Sequence, residues 1–471
     1  MSAMSIRAPR AQRLAVASGA AALAVMTLAA VRYGPLALGL PLAGVAAVAL
    51  IQRARIAVGL VVSLMVLVEG SSEDFLGVKG AYNLTPLGVT PMECLLGLAI
   101  LAVLLDRLGA QRPLRVPGPL SVPLALVALA TLGGLITGHF AGLNAKDLLF
   151  ASRQMVWLPV VPVLVVNVVE TDRQLRGALV LVAGLAIAKA AIGLAGVLAG
   201  VGIVVDGATI TYYEPTANWL LVLVILAAVA ALLLRAKPPG WLVAATPLLM
   251  LSLALSFRRS FWIAGLLALV LVVLLGSRPL GRRIAVLAIV LLGLAAWTVS
   301  MQPARTESQT PIVERAQSIE PSKVEANQQD RYRIDELHNV LAAIEKRPIT
   351  GLGVGGQWAA VHPLGVEHEN GRGYTHVVAL WWWMKLGILG LVAYLSLMGT
   401  MLVMSWQIWR RAADRLLSAI GLAALCGLLA LAVVETVGSF TGIDPRLTAL
   451  VGAVGGLLAA MRRLVLRPAG A

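Results

Sequence analysis

The sequence predicts an all-α, polytopic helical membrane protein with about 12–14 transmembrane helices and one large periplasmic helical loop. Three observations carry this prediction. Apolar residues make up 59% of the 471 and charged residues only 13%, with a mean hydropathy of +0.87. A soluble domain would carry about a quarter charged residues, and a disordered chain would lack the apolar excess. The charges sit in short clusters between long apolar runs.

A helix crosses the bilayer with roughly 20 apolar residues. By that rule spans fall near 14–31, 35–51, 56–68, 90–105, 119–138, 155–169, 177–200, 216–234, 241–256, 260–275, 284–301, 376–404, 416–437 and 447–461. The chain then divides into an N-terminal bundle (1–301), a hydrophilic loop with an amphipathic helix (302–375) and C-terminal spans (376–471). The first basic stretch and apolar run lack a small-residue cleavage site and read as an uncleaved helix. Cys94 and Cys426 are the only cysteines, which gives neither a disulfide framework nor a cysteine metal site.

With the N-terminus in the cytoplasm, the alternating inside segments hold 21 basic and 4 acidic residues, netting +17. The spans and outside segments hold 17 basic and 19 acidic residues, netting −2. The overall +15 is therefore a topology signal of an inner-membrane protein with both termini cytoplasmic, and nucleic-acid binding is not needed to explain it.

Residues 302–375 carry 8 basic and 10 acidic residues and face the periplasm in this topology. Between Pro321 and Pro348 an amphipathic helix of about six turns is expected, with Ile334, Leu337, Leu341 and Ile344 at helical spacing. Arg333 lies on the same stripe as Leu337, Val340 and Ile344. It either snorkels to water or faces a cavity and binds an anion. Arg347-Pro348-Ile349-Thr350-Gly351-Leu352-Gly353-Val354-Gly355-Gly356 follows. It lacks the Lys-Ser/Thr ending of a nucleotide loop, and alone it reads as a flexible connection.

Ser256-Phe257-Arg258-Arg259-Ser260 separates two apolar runs with almost no loop, on the side where topogenic arginines are disfavoured. Arginine forks match phosphate oxygens, so a phosphate clamp competes with a headgroup anchor. Five histidines, His139, His338, His362, His368 and His376, form no recognised metal-ligand spacing. His376 at the start of a span is a candidate general base. His338 and Arg331 on the loop helix are secondary candidates. Trp381, Trp382 and Trp383 read as interfacial anchors. Lys189 lies mid-span, with Glu93, Lys385 and Glu435 near span ends; these read as scattered single charges, held by interior salt bridges or by snorkelling.

This ordered set resembles the O-antigen ligase and polymerase superfamily of bacterial envelope glycosyltransferases. The likeness rests on the layout of spans, on Ser256-Phe257-Arg258-Arg259, and on Arg333 opening a helix that runs into Pro348-Ile349-Thr350-Gly351-Leu352-Gly353. It also rests on His376-Val377 followed, after nine residues, by Gly387-Ile388-Leu389-Gly390. Val377 stands where the family usually has Asn, Ser or Gln. The resemblance implies transfer of a glycan from undecaprenyl pyrophosphate to a sugar hydroxyl of lipid A–core. It implies His376 as base and Arg258, Arg259 and Arg333 as a pyrophosphate clamp. Neither cofactor nor metal is expected, and inversion at the anomeric carbon follows from direct displacement. A polymerase or a protein O-oligosaccharyltransferase shares the layout; a transporter would explain the spans but not the outward arginine–histidine set.

Overall fold

The structure, a computed structural model, describes residues 46–69, 81–82, 89–205, 208–276, 328–362 and 371–466, with side chains of the loop helix from 332 onward. The chain forms two compact units, Met1–Gly59 with Glu93–Leu114, and Leu60–Met92 with Arg115–Ala471. The larger unit carries everything that follows.

Its helices are α1 (Ala54–Leu67), α2 (Pro91–Gly109), α3 (Ser121–Phe140), α4 (Ala145–Val168), α5 (Asp172–Ala199), α6 (Pro215–Leu233), α7 (Gly240–Ala254), α8 (Arg259–Gly276), α9 (Gln328–Lys346), α10 (Val378–Arg411), α11 (Arg415–Val434) and α12 (Pro445–Val465), where α1 and α2 belong only partly to this unit. A two-residue ribbon, Val204–Val205 with Ala208–Thr209, links α5 to α6. The protein is an all-α polytopic membrane protein. Among the described residues eight helices are long and apolar enough to cross a bilayer; α1 and α7 are shorter apolar helices. In α2, Glu93, Asp106 and Arg107 lie close enough that no 18-residue stretch escapes all three. The expected spans at 14–31 and 284–301 lie outside the described residues, as does most of 35–51.

Helix starts are written locally. Asn144 accepts the Asp147 amide at 2.9 Å to open α4, and Thr171 with Gln174 closes a capping box on α5. Pro215 and Pro445 occupy the first turns of α6 and α12, where no amide partner is needed. Close packing uses small residues, because lipid offers apolar side chains no reason to prefer another helix. Gly452 and Gly456 of α12 abut Trp157, Pro162 and Val165 of α4, and Trp219 of α6 donates to the Gly427 carbonyl of α11 at 2.9 Å.

The threading gathers the topogenic arginines at one end. There Arg176 pairs with Asp414 at 2.6 Å, Arg115 with Glu170 at 3.2 Å, and Arg463 donates to the Val169 carbonyl at 2.6 Å. Towards the opposite end, Lys189, which looks isolated in sequence, joins a buried cluster. Lys189 (0% exposed) pairs with Glu69, Glu69 pairs with Arg446, and Arg446 reaches Glu214 and Asp444. Lys189 is thus held by an interior salt bridge, since a cation and a carboxylate taken out of water persist only as partners.

Candidate functional site

Five segments at the end opposite the arginine-rich one build the site: the stretch before α6, the α7–α8 turn, α9, the approach to α10, and the α11–α12 connection. The α7–α8 turn is tight because Phe257 takes φ +54° and buries its ring against Trp262, leaving Arg258 directed inward. Arg258 donates from Nε to the Tyr213 carbonyl at 2.5 Å and stacks on the Tyr213 ring at 3.6 Å. Phe440, from the α11–α12 connection, lies 5.8 Å from the same guanidinium. Burial pushes the Arg258 pKa below the usual guanidinium value; Tyr213, Glu214 and Tyr374 oppose that shift and Arg333 adds to it. Arg259 opens α8, half-exposed. One turn on, Trp262 and Gly265 line an apolar cavity of about 200 Å³ between α6, α7 and α8.

The loop helix α9 buries a different stripe from the expected one. Tyr332, Glu336, Asn339, Val340, Ala343 and Ile344 face inward, while Ile334 (54%) and Leu341 (38%) are exposed. The stripe turns because two polar residues have dedicated partners. Asn339 accepts the Val361 and His362 amides at 2.7 Å each and donates to the His362 carbonyl at 3.0 Å. Glu336, 1% exposed, accepts the backbone N–H of His376 at 2.7 Å and lies 3.1 and 3.2 Å from His376 Nδ1. His376 is therefore not a solvated helix-start histidine. Its ring packs edge-on to Tyr374 at 5.1 Å and Tyr332 at 6.3 Å.

Tyr374 joins the two halves. Its hydroxyl accepts the Ser439 amide at 3.2 Å, and burial pushes its pKa up to about 12. The amide donation opposes that shift; Glu336 adds to it, and Arg258 and Arg333 lower it. Arg258, Arg333, Glu336 and Tyr374 thus share one electrostatic neighbourhood, with His376 against the tyrosine. Arg333 is exposed on α9 and His338 is exposed with its ring 5.3 Å from His362. The side chain of Arg331 and all of His368 lie outside the described residues.

The glycine-rich turn is not a flexible connection. It wedges between α3 and α10 at a break where Gly387 takes φ +67°, ψ −165°. Leu352 and Gly353 donate to the Met384 and Lys385 carbonyls at 2.7 and 3.0 Å, and Ile388 donates to Pro348 at 3.0 Å. Val354 donates to Gly134 of α3 at 2.9 Å. A Cβ at Gly353 would stand 2.6 Å from Gly138 Cα, which is closer than real Cβ atoms approach. Lys385 donates to the Gly356 carbonyl. The tryptophan trio is correspondingly internal: Trp381 and Trp382 are buried, Trp382 donates to Thr441 at 3.1 Å and Trp383 to Pro348 at 2.9 Å.

Residues 242–395 match the family model Wzy_C, described as O-antigen ligase, over about a third of the chain. The matched stretch contains Arg258, Arg259, Arg333, Glu336, the glycine-rich turn and His376. No curated protein matches the chain.

Proposed function

We propose that this chain is a ligase- or polymerase-type enzyme of the O-antigen ligase family, a reading supported by the match over residues 242–395. It transfers a glycan from undecaprenyl pyrophosphate to a sugar hydroxyl of lipid A–core, on the periplasmic face of the bacterial inner membrane. The single observation that carries this reading is that His376, held by Glu336, packs on Tyr374, a side chain that lies in the field of Arg258 and Arg333.

The acceptor hydroxyl gives its proton to the imidazole of His376. Its oxygen attacks the anomeric carbon from the face opposite the leaving group, so the configuration inverts. The bond from that carbon to the pyrophosphate oxygen breaks, and the lipid pyrophosphate leaves with the electron pair. Arg258 and Arg333, with Arg259 beside them, meet the charge that develops there. Pyrophosphate leaves readily once so held, so the reaction runs without a metal. The apolar cavity behind the arginine turn takes the first prenyl units of the donor.

Purified protein, lipid-linked glycan and rough lipopolysaccharide test this. His376→Ala is expected to reduce transfer by about 10²–10⁴-fold while donor binding survives. Arg258→Ala and Arg333→Ala are expected to weaken donor binding by about 1.5–3 kcal/mol each, with lysine rescuing in part. His338→Ala is expected to be mild, and EDTA is expected to leave activity intact. Lengthening of the lipid-linked glycan in place of transfer to lipid A–core would make the protein a polymerase. Near-normal transfer by His376→Ala would overturn the assignment of the base.

A further inference from the structure

A base at His376 needs its outward nitrogen unprotonated, and nothing in the ring itself decides which nitrogen carries the proton. The surroundings decide it. Glu336 is buried at 1% exposure, accepts the His376 amide, and sets its second oxygen 3.1 Å from Nδ1. Two α9 neighbours of Glu336 sharpen this placement. Tyr332, one turn earlier, packs edge-on to the imidazole, and Asn339, three residues later, ties the helix to the 361–362 backbone. The carboxylate is thus aimed by its own helix, and the ring is held from two sides, by Tyr332 and Tyr374.

We propose that Glu336 is the positioning residue of the transfer reaction: it accepts the Nδ1 proton of His376, fixes the ring, and leaves Nε2 as the nitrogen that takes the acceptor's proton. Glu336 touches neither substrate nor donor and acts only through the histidine. The carboxylate also favours the imidazolium that forms when the hydroxyl proton arrives. The inference rests on the reaction proposed above.

Glu336→Gln is the discriminating change. The amide oxygen still accepts the His376 backbone N–H, so the chain connection is kept. The amide nitrogen now donates towards Nδ1, which drives the ring proton to Nε2 and blocks the base. The expected result is a fall in kcat of about 10²–10⁴-fold with the donor KM within about twofold of wild type. In a His376→Ala background the same change is expected to cost less than about twofold, because a residue acting through the ring has nothing left to act on. Glu336→Asp, which keeps the charge one methylene short, is expected to recover part of the rate. Should Glu336→Gln fail to accumulate in the membrane, the cycle with Glu336→Asp decides: its loss must also vanish without the histidine. Transfer by Glu336→Gln within about threefold of wild type would overturn the proposal, and so would losses that multiply with His376→Ala. A wild-type protein with no transfer, or a His376→Ala protein with full transfer, would instead overturn the underlying reaction and this inference with it.

Discussion

Gly387→Ala tests how the glycine-rich turn and the broken helix hold each other. Gly387 sits at φ +67°, ψ −165°, a region open in practice only to glycine, and a side chain there carries a strain of about 1–3 kcal/mol. The added methyl would also fall on the Ile349 carbonyl, so the turn has to withdraw. Withdrawal gives up three hydrogen bonds, from Leu352, Gly353 and Ile388, at about 0.5–1.5 kcal/mol each. The total is roughly 2.5–7.5 kcal/mol, a large part of the roughly 5–15 kcal/mol that holds a folded domain. The measurement is the melting of detergent-solubilised protein followed by fluorescence-detected size exclusion. Gly399→Ala is the control: it lies on the same helix, meets nothing within 4 Å, and is expected to be neutral or to stabilise by about 0.5–1 kcal/mol. A Gly387→Ala protein that melts with wild type would refute the clasp, as would equal damage from Gly399→Ala.

Two further outcomes are expected. Lys189→Met leaves Glu69 with Arg446 alone and is expected to destabilise by about 3 kcal/mol; Lys189→Met with Glu69→Gln should recover part of that, and strictly additive losses in the melting assay would show the pair is uncoupled. In a chain lacking Cys94 and Cys426, Ala359→Cys is expected to react with an impermeant thiol reagent in intact spheroplasts, and Ala413→Cys only after lysis. The opposite pattern would invert the orientation inferred from the +17 and −2 charge split.

Hydropathy made the fold class legible, because a 20-residue apolar run in water has few alternatives to a membrane span. Arg258, Arg333 and His376 were legible as chemistry-bearing residues in unusual places. Glu336 was not: a carboxylate on an amphipathic helix reads as solvent-facing, and only its partner 40 residues away buries it. One signal was present, since Tyr332, Glu336, Asn339 and Ala343 share a stripe at i, i+4, i+7 and i+11. Tyr213, Tyr374 and Phe440 escaped notice for a related reason, being ordinary aromatics brought together from three separate segments. The break at Gly387 was hidden inside an unbroken apolar run, where hydropathy cannot distinguish a bent helix from a straight one.

The buried ionic cluster sets an order of events during biogenesis. Glu69 leaves the ribosome early, finds Lys189 some 120 residues later, and meets Arg446 only after 377 residues. Glu214 waits for the same arginine. Until α12 is in place, Glu69 and Glu214 lack the Arg446 partner that joins them. The cluster is therefore complete only when segments from the two ends of the sequence are both in place, so its integrity reports on the whole fold and not on any one pair of neighbouring helices.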